Sequence, residues 1–239
     1  MKAKINNMIL TKDAFRKIND YSYIVSSIVG KPIEVMGLLI GDKDDPLSIG
    51  KDAYLIQNQS VTASESFPDD RSLGDAYYET IAGGNNVVGM WHSHGDYPNF
   101  HSTYDNDYLE NLVTFNSFMY PNHRTIEGEK VPFAASIVIN QNSYLRQNPF
   151  KDLRRTEHYY CRAGYRENGD IRLTESLELI LIPSISRIQR DYLALFCEVC
   201  DQVSFQGKRL GSIFEESAHQ EKQKSIYAAV TEIFGKLFA

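Results

Sequence analysis

Two histidines one residue apart, His92-Ser93-His94, close the apolar run Val87-Val88-Gly89-Met90-Trp91. A short apolar run bounded by Gly and Asn reads as a buried strand. Alternate residues of a strand share a face, so the two imidazoles project together. Imidazoles placed in this way can both bind one metal ion at about 2.0–2.1 Å. The segment Ser102-Thr103-Tyr104-Asp105 follows after a short loop and supplies an acid as a third ligand. The pattern predicts a zinc site. Ser102-x-x-Asp105 also has a structural reading, as an N-cap hydroxyl and an N3 acid forming a capping box. Tyr108, Leu109, Leu112 and Val113 continue at helical spacing, which predicts a helix from near Thr103. The two readings are compatible, because a helix start there holds Ser102 and Asp105 rigidly at the end of the histidine strand.

Upstream, Ile33–Gly41 is apolar apart from Glu34 and reads as a strand buried on both faces, with the acid at its entrance. Taken alone, Glu34 is a solvated strand end. Beside a metal it gains a second reading. Two His and one Asp leave a fourth tetrahedral position for water, as catalytic zinc sites do. Zinc lowers the pKa of that water to about 7. Hydrolysis then needs a base to take the proton and return it to a leaving amine. Partial burial would tune Glu34 for that work. The Ser102 hydroxyl can hydrogen-bond the oxyanion that develops on an attacked carbonyl.

These residues must be positioned by the elements around them. Thr11 is an N-cap, and Phe15, Ile18, Tyr21, Val25 and Ile28 predict a helix closed by Gly30. Ala53–Gln59 reads as a strand pairing with Ile33–Gly41, Ser60–Arg71 as a surface loop, and Leu73–Ile81 as a helix. Asn116–Pro132, polar and holding two prolines, reads as a long connection. Phe133–Asn140, His158–Gly164 and Ile171–Ile182 read as strands, the last two joined by an Asn168-Gly169 hairpin. Two helices are expected over 184–239, packing on the domain or forming a dimer or partner surface.

The chain has 239 residues, enough for one large domain or a domain with a helical extension. Its 25 basic and 31 acidic residues give a net charge of −6, which argues against non-specific binding to nucleic acid or an anionic membrane. No apolar run reaches the length of a transmembrane helix, and the first residues lack the apolar core of a signal peptide. Three cysteines, Cys161, Cys197 and Cys200, do not make a disulfide scaffold. A cytoplasmic setting is the expectation.

Glu34-Val-Met-Gly-Leu-Leu-Ile-Gly, followed by His92-Ser-His94, seven residues, and Ser102-x-x-Asp105, resembles the JAMM (MPN+) metalloprotease signature. The His-x-His-x7-Ser-x-x-Asp part arises by chance in roughly one chain per few thousand. The resemblance covers about residues 8–145. It implies an α/β fold, the MPN domain, with a mixed curved β-sheet flanked by helices. Here that domain would span 1–183, with a C-terminal helical extension over 184–239. His92, His94 and Asp105 match the zinc ligands, Glu34 the general acid/base and Ser102 the oxyanion-stabilising serine. The implied reaction is cleavage of the C-terminal peptide or isopeptide bond of ubiquitin or a ubiquitin-like protein. Family insertions that grip substrate would fall at Ser60–Asn86 and Asn116–Pro132. Gly95 stands where the family often has proline, and the chain beyond Asn142 has no matched counterpart. A stand-alone prokaryotic member is the implied setting.

Other candidates are weaker. Cys197-x-x-Cys200 sits in a helical pattern with no second cysteine pair, and reads as packing. The motifs of zinc deaminases and His-Glu-x-x-His proteases are absent. His101, in the loop between the histidines and Ser102, could touch substrate, but the reading preferred is an exposed loop histidine. Two rival functions stay open: a non-catalytic scaffold of the same fold working through 184–239, and a peptidase of the same kind acting on a sulfur-carrier precursor or an ordinary peptide.

Overall fold

The structure, a computed structural model, describes residues 5–95, 97–118, 122–140, 159–184 and 192–220. Strand β1 (Asn7–Thr11) leads directly into helix α1 (Lys12–Val29). The Thr11 hydroxyl accepts from the Ala14 N–H at the helix start, and Gly30 closes it at φ 77° with its N–H on the Ser26 carbonyl. Both ends therefore follow the predicted caps. Next come β2 (Met36–Asp42), β3 (Asp52–Leu55), β4 (Gln59–Val61), β5 (Ser66–Phe67) and α2 (Asp70–Ala82). The histidine strand is β6 (Asn85–Ser93), followed by α3 (Thr103–Phe118), β7 (His123–Ile126) and β8 (Glu129–Ile139). The described remainder holds β9 (Tyr159–Glu167), β10 (Asp170–Leu173), β11 (Glu178–Ile182), α4 (Tyr192–Gln202), β12 (Val203–Phe205), β13 (Lys208–Arg209) and α5 (Leu210–Gln220).

A seven-stranded mixed sheet in the order β10-β9-β8-β6-β2-β3, with β7 on β8, is the centre of the molecule. β6 lies antiparallel to β2 and parallel to β8, and α3 makes the crossover that a parallel pair requires. One face carries α2 and α3 over Met36, Leu38, Met90, Leu109, Leu112 and Val113. The other carries α1, α4 and α5 over Trp91, Val88, Ile137 and Leu39. Alternation alone would put Val88 on the face of Met90. The pairing slips between Leu39 and Ile40, so that Leu39 faces Gly89 but Ile40 faces Val87. This bulge turns Val88 to the opposite side. Past it, Met90 and His92 share the α3 face, while Trp91 and Ser93 enter the α1 core.

Trp91 is fully buried, stacked on Tyr21 with ring centroids 5.8 Å apart, and its indole N–H donates to the Tyr54 carbonyl at 3.3 Å. Gly37 lies opposite Trp91, and a Cβ there would fall onto the Tyr54 carbonyl oxygen and the indole ring. The glycine of the apolar run is thus the space through which the tryptophan crosses β2.

Several expectations need correction. Ala53–Gln59 is broken into β3 and β4, because Gln57 and Asn58 form a turn with Asn58 at φ 55°. Ser60–Arg71 is not irregular: β4, β5, β12 and β13 make a four-stranded sheet. Ile171–Ile182 divides into β10 and β11, and β11 pairs in parallel with β1. Asn116–Pro132 is mostly helix end and hairpin, with Glu127 and Gly128 at positive φ in the turn. Since Gly89 pairs with Ala135 and Ser93 with Ile139, this hairpin lies beyond the Asn85 end of β6, away from the histidines. In the C-terminal region Leu195, Phe196, Val199, Val203 and Leu210 join the main core. The described part of 184–239 thus packs on the domain. Residues 221–239, and with them most of the second predicted helix, lie outside the described residues.

Candidate metal centre

His92 and His94 stand at the end of β6, each 5% exposed. Their Nε2 atoms are 3.1 Å apart, and His92 Nε2 is 3.4 Å from Asp105 Oδ1. Tetrahedral ligands at zinc distances lie about 3.3 Å from one another. One ligand atom from each of the three residues falls within 4.8 Å of the others, so the group can hold a metal ion. Their chemistry suits a borderline-soft cation: two imidazoles and one carboxylate.

Local folding explains the convergence. His94 N–H is tied to the Ile139 carbonyl at 2.9 Å, which continues the β6–β8 ladder past the strand end. His94 Nδ1 lies 2.8 Å from the Pro98 carbonyl, which can only accept, so Nδ1 bears the proton and Nε2 presents its lone pair. Burial pushes the His92 imidazole down to about 4 and His94 adds to this, against the opposing pull of Asp105. It is therefore neutral at pH 7, the form that binds metal. The capping box is present as well. Ser102 N–H donates to Asp105 Oδ2 at 2.6 Å, and Asp105 N–H donates to Ser102 Oγ at 3.2 Å. Asp105 thus serves both predicted purposes: Oδ2 caps the helix while Oδ1 faces His92. Burial raises its carboxyl, but His92 and the Ser102 hydrogen bonds outweigh this and hold it below the usual value.

Glu34 precedes β2. Met36 pairs with His92, so two residues further out Glu34 falls opposite His94 on the same face. Its N–H donates to the Thr62 carbonyl at 3.0 Å, which ties it to the β4–β5 turn. Burial pushes its carboxyl up to about 8, with Asp105 and Glu65 adding to the rise. Folded protein without metal therefore holds this proton over a window, from about 4.5 to about 8, in which the unfolded chain releases it. Stability must fall as pH rises through that window. Without metal, Glu34→Gln should match the wild type near pH 4.5 and exceed it at pH 8 in urea midpoint. Parallel pH profiles for the two proteins would contradict the burial of this acid.

The residue that sequence reasoning passed over is Ser93. Its side chain points away from the metal group and is fully buried. Oγ accepts from the Val35 N–H at 3.1 Å and donates to the Ile33 carbonyl at 3.1 Å, while Ser93 N–H donates to the Val35 carbonyl at 2.9 Å. The backbone on both sides of Glu34 is thus clamped to the residue between the two histidines. The signal was the hydroxyl itself, a polar residue on the inward face of an apolar strand. Ser93→Ala strips the Val35 N–H of its acceptor, and the expected loss in urea unfolding is about 1–3 kcal/mol.

Two loop readings change. Gly95 has φ 55°, a region closed to proline, and a Cβ there would press on Pro32 Cβ at 3.2 Å. The loop after His94 therefore runs differently from one with proline at that position. His101 is not exposed: it is half-buried, with its ring 6.3 Å from that of His92 and 5.3 Å from that of Tyr160. Cys197 and Cys200 lie on α4, Cys197 exposed and Cys200 half-buried, and neither belongs to the metal group.

A mixed sheet whose central strand ends in two histidines able to hold a metal ion, with an acid that could join them at the start of the crossover helix, describes a domain of the JAB/MPN type. The family model described as prokaryotic homologs of the JAB domain matches residues 29–148, half of the chain and all five site residues, and the chain belongs to that family. No curated protein matches the chain. Among solved structures it is similar to the solution structure of protein DSY2949 from Desulfitobacterium hafniense. That match is 16% identical over 77% of this chain and 99% of the other, with a TM-score of 0.43. No helix among the described residues is long and apolar enough to cross a membrane.

Proposed function

We propose that this chain is a zinc-dependent isopeptidase that cleaves the C-terminal peptide or isopeptide bond of ubiquitin or a ubiquitin-like modifier. The observation that carries the reading is the meeting of His92, His94 and Asp105, with a partly buried acid, Glu34, opposite His94. Zinc held by the trio would supply an acidified water and polarise the scissile carbonyl. Glu34 takes the proton from the attacking water and passes it to the departing amine, which leaves neutral. Ser102 accepts from the Asp105 N–H, so its own O–H is free to donate to the oxygen that becomes negative. The capping box keeps this hydroxyl fixed while the charge develops.

Tyr97, Phe100 and Tyr104 are exposed around the trio, and Phe100 stacks edge-on against His94 with centroids 5.0 Å apart. Exposed aromatic side chains gathered beside a site are the residue types enriched where protein surfaces meet, which suits a protein as substrate. A scaffold would have no need of three converging ligands, which favours the enzyme.

The test is to incubate zinc-loaded protein with ubiquitin-like proteins fused at their C-terminus, and to read products by intact mass. Cleavage immediately after the modifier's last residue is expected. Cleavage only of a sulfur-carrier precursor would move the substrate. No cleavage of any fusion by protein carrying one zinc would count against the enzyme.

A further inference from the structure

His101 is placed as no packing residue needs to be. Both of its ring nitrogens are enclosed, and neither has a hydrogen-bond partner among the described residues. An enclosed polar group left unpaired costs about 1–3 kcal/mol, which a leucine of similar size would avoid. Its ring lies beside His92 on one side and Tyr160 on the other, and it is adjacent in sequence to Ser102. It does not belong to the converging group of ligand atoms. Behind it the wall is polar and fixed. The Arg162 guanidinium, which repels a positive charge on His101, donates at 2.5 Å to Asn106 Oδ1 on α3 and at 2.5 Å to the Thr174 carbonyl. His101 is therefore held at the edge of the metal centre without being one of its ligands.

We propose that His101 is a further substrate-binding residue of this centre, whose ring N–H donates to the carbonyl oxygen of the bond being cleaved, alongside the Ser102 hydroxyl. An imidazole carries an N–H in either charge state, so the role does not depend on its protonation. Two donors on one developing oxyanion act together where water is excluded. The inference rests on the isopeptidase reading and names a residue that the family signature leaves open.

The experiment uses the full chain loaded with cobalt, whose visible spectrum reports the ligand set, titrated with acetohydroxamate as a small carbonyl-bearing probe. His101→Ala should leave cobalt and zinc affinity within about threefold of wild type and keep the spectrum of the probe-free protein. It should weaken acetohydroxamate by about tenfold, the worth of one hydrogen bond. His101→Asn, which keeps an N–H donor, should recover part of that loss. Metal affinity falling as far as in His94→Ala would make His101 a ligand and overturn the proposal. So would unchanged acetohydroxamate binding in His101→Ala. If the wild type takes up no cobalt, the metal reading fails first and this proposal with it. Wild type that binds both metal and probe isolates the question to His101.

Discussion

Glu34→Gln is expected to lower turnover by roughly 10²–10⁴-fold, the range for loss of general acid–base catalysis, while zinc content and fold are retained. Glutamine has the volume of glutamate and keeps the neighbours of Glu34 in place, but it cannot accept the water proton. Burial, Asp105 and Glu65 push this carboxyl up to about 8 before any cation is bound. A divalent cation beside it would work in the other direction, favouring the carboxylate and lowering its pKa again. The acid would then be poised to take a proton and to give it back. Steady-state rates on a fusion substrate, with zinc measured in the same samples, check this. A variant that still cleaves at the wild-type rate would remove Glu34 from the chemistry.

His94→Ala should cost zinc affinity by more than about a hundredfold, since even loss of a partner behind a ligand costs tenfold to a hundredfold. His94 is oriented from two sides, through its own N–H to Ile139 and through Nδ1 to Pro98. Its Nε2 is therefore held in advance of binding, and no other imidazole among the converging atoms replaces it. Competition against a chromophoric chelator gives the number, and Cys200→Ala is the control, because that thiol lies outside the group. Equal zinc affinity in His94→Ala and wild type would place the metal elsewhere.

The parts of the site legible in the sequence were those set by local rules. The shared face of His92 and His94 follows from strand alternation, and the start of α3 at Thr103 from its capping box. Glu34 was legible because one acid interrupts an apolar run. What could not be read depends on contacts between distant segments. β1 pairs with β11 in parallel, Asn7 opposite Glu178, and β12 pairs with β4, Val203 opposite Gln59. Neither short strand has a periodicity of its own. The prolines of Asn116–Pro132 suggested a loop, but Pro132 sits opposite His123 in a two-stranded hairpin, where a missing N–H is tolerated at an edge. The role of Ser93 and the burial of His101 escape the sequence for a common reason: burial of a polar side chain is a property of its neighbours and not of the residue.

In the proposed centre three side chains share one zinc ion, and X-ray absorption at the zinc edge on the purified protein tests that most directly. One zinc per chain is expected, bound by two imidazole nitrogens, one carboxylate oxygen and one non-protein oxygen, with the imidazole signal halved in His94→Ala. A protein that purifies without zinc and takes up none, or one whose zinc shows sulfur in its first shell, would contradict it.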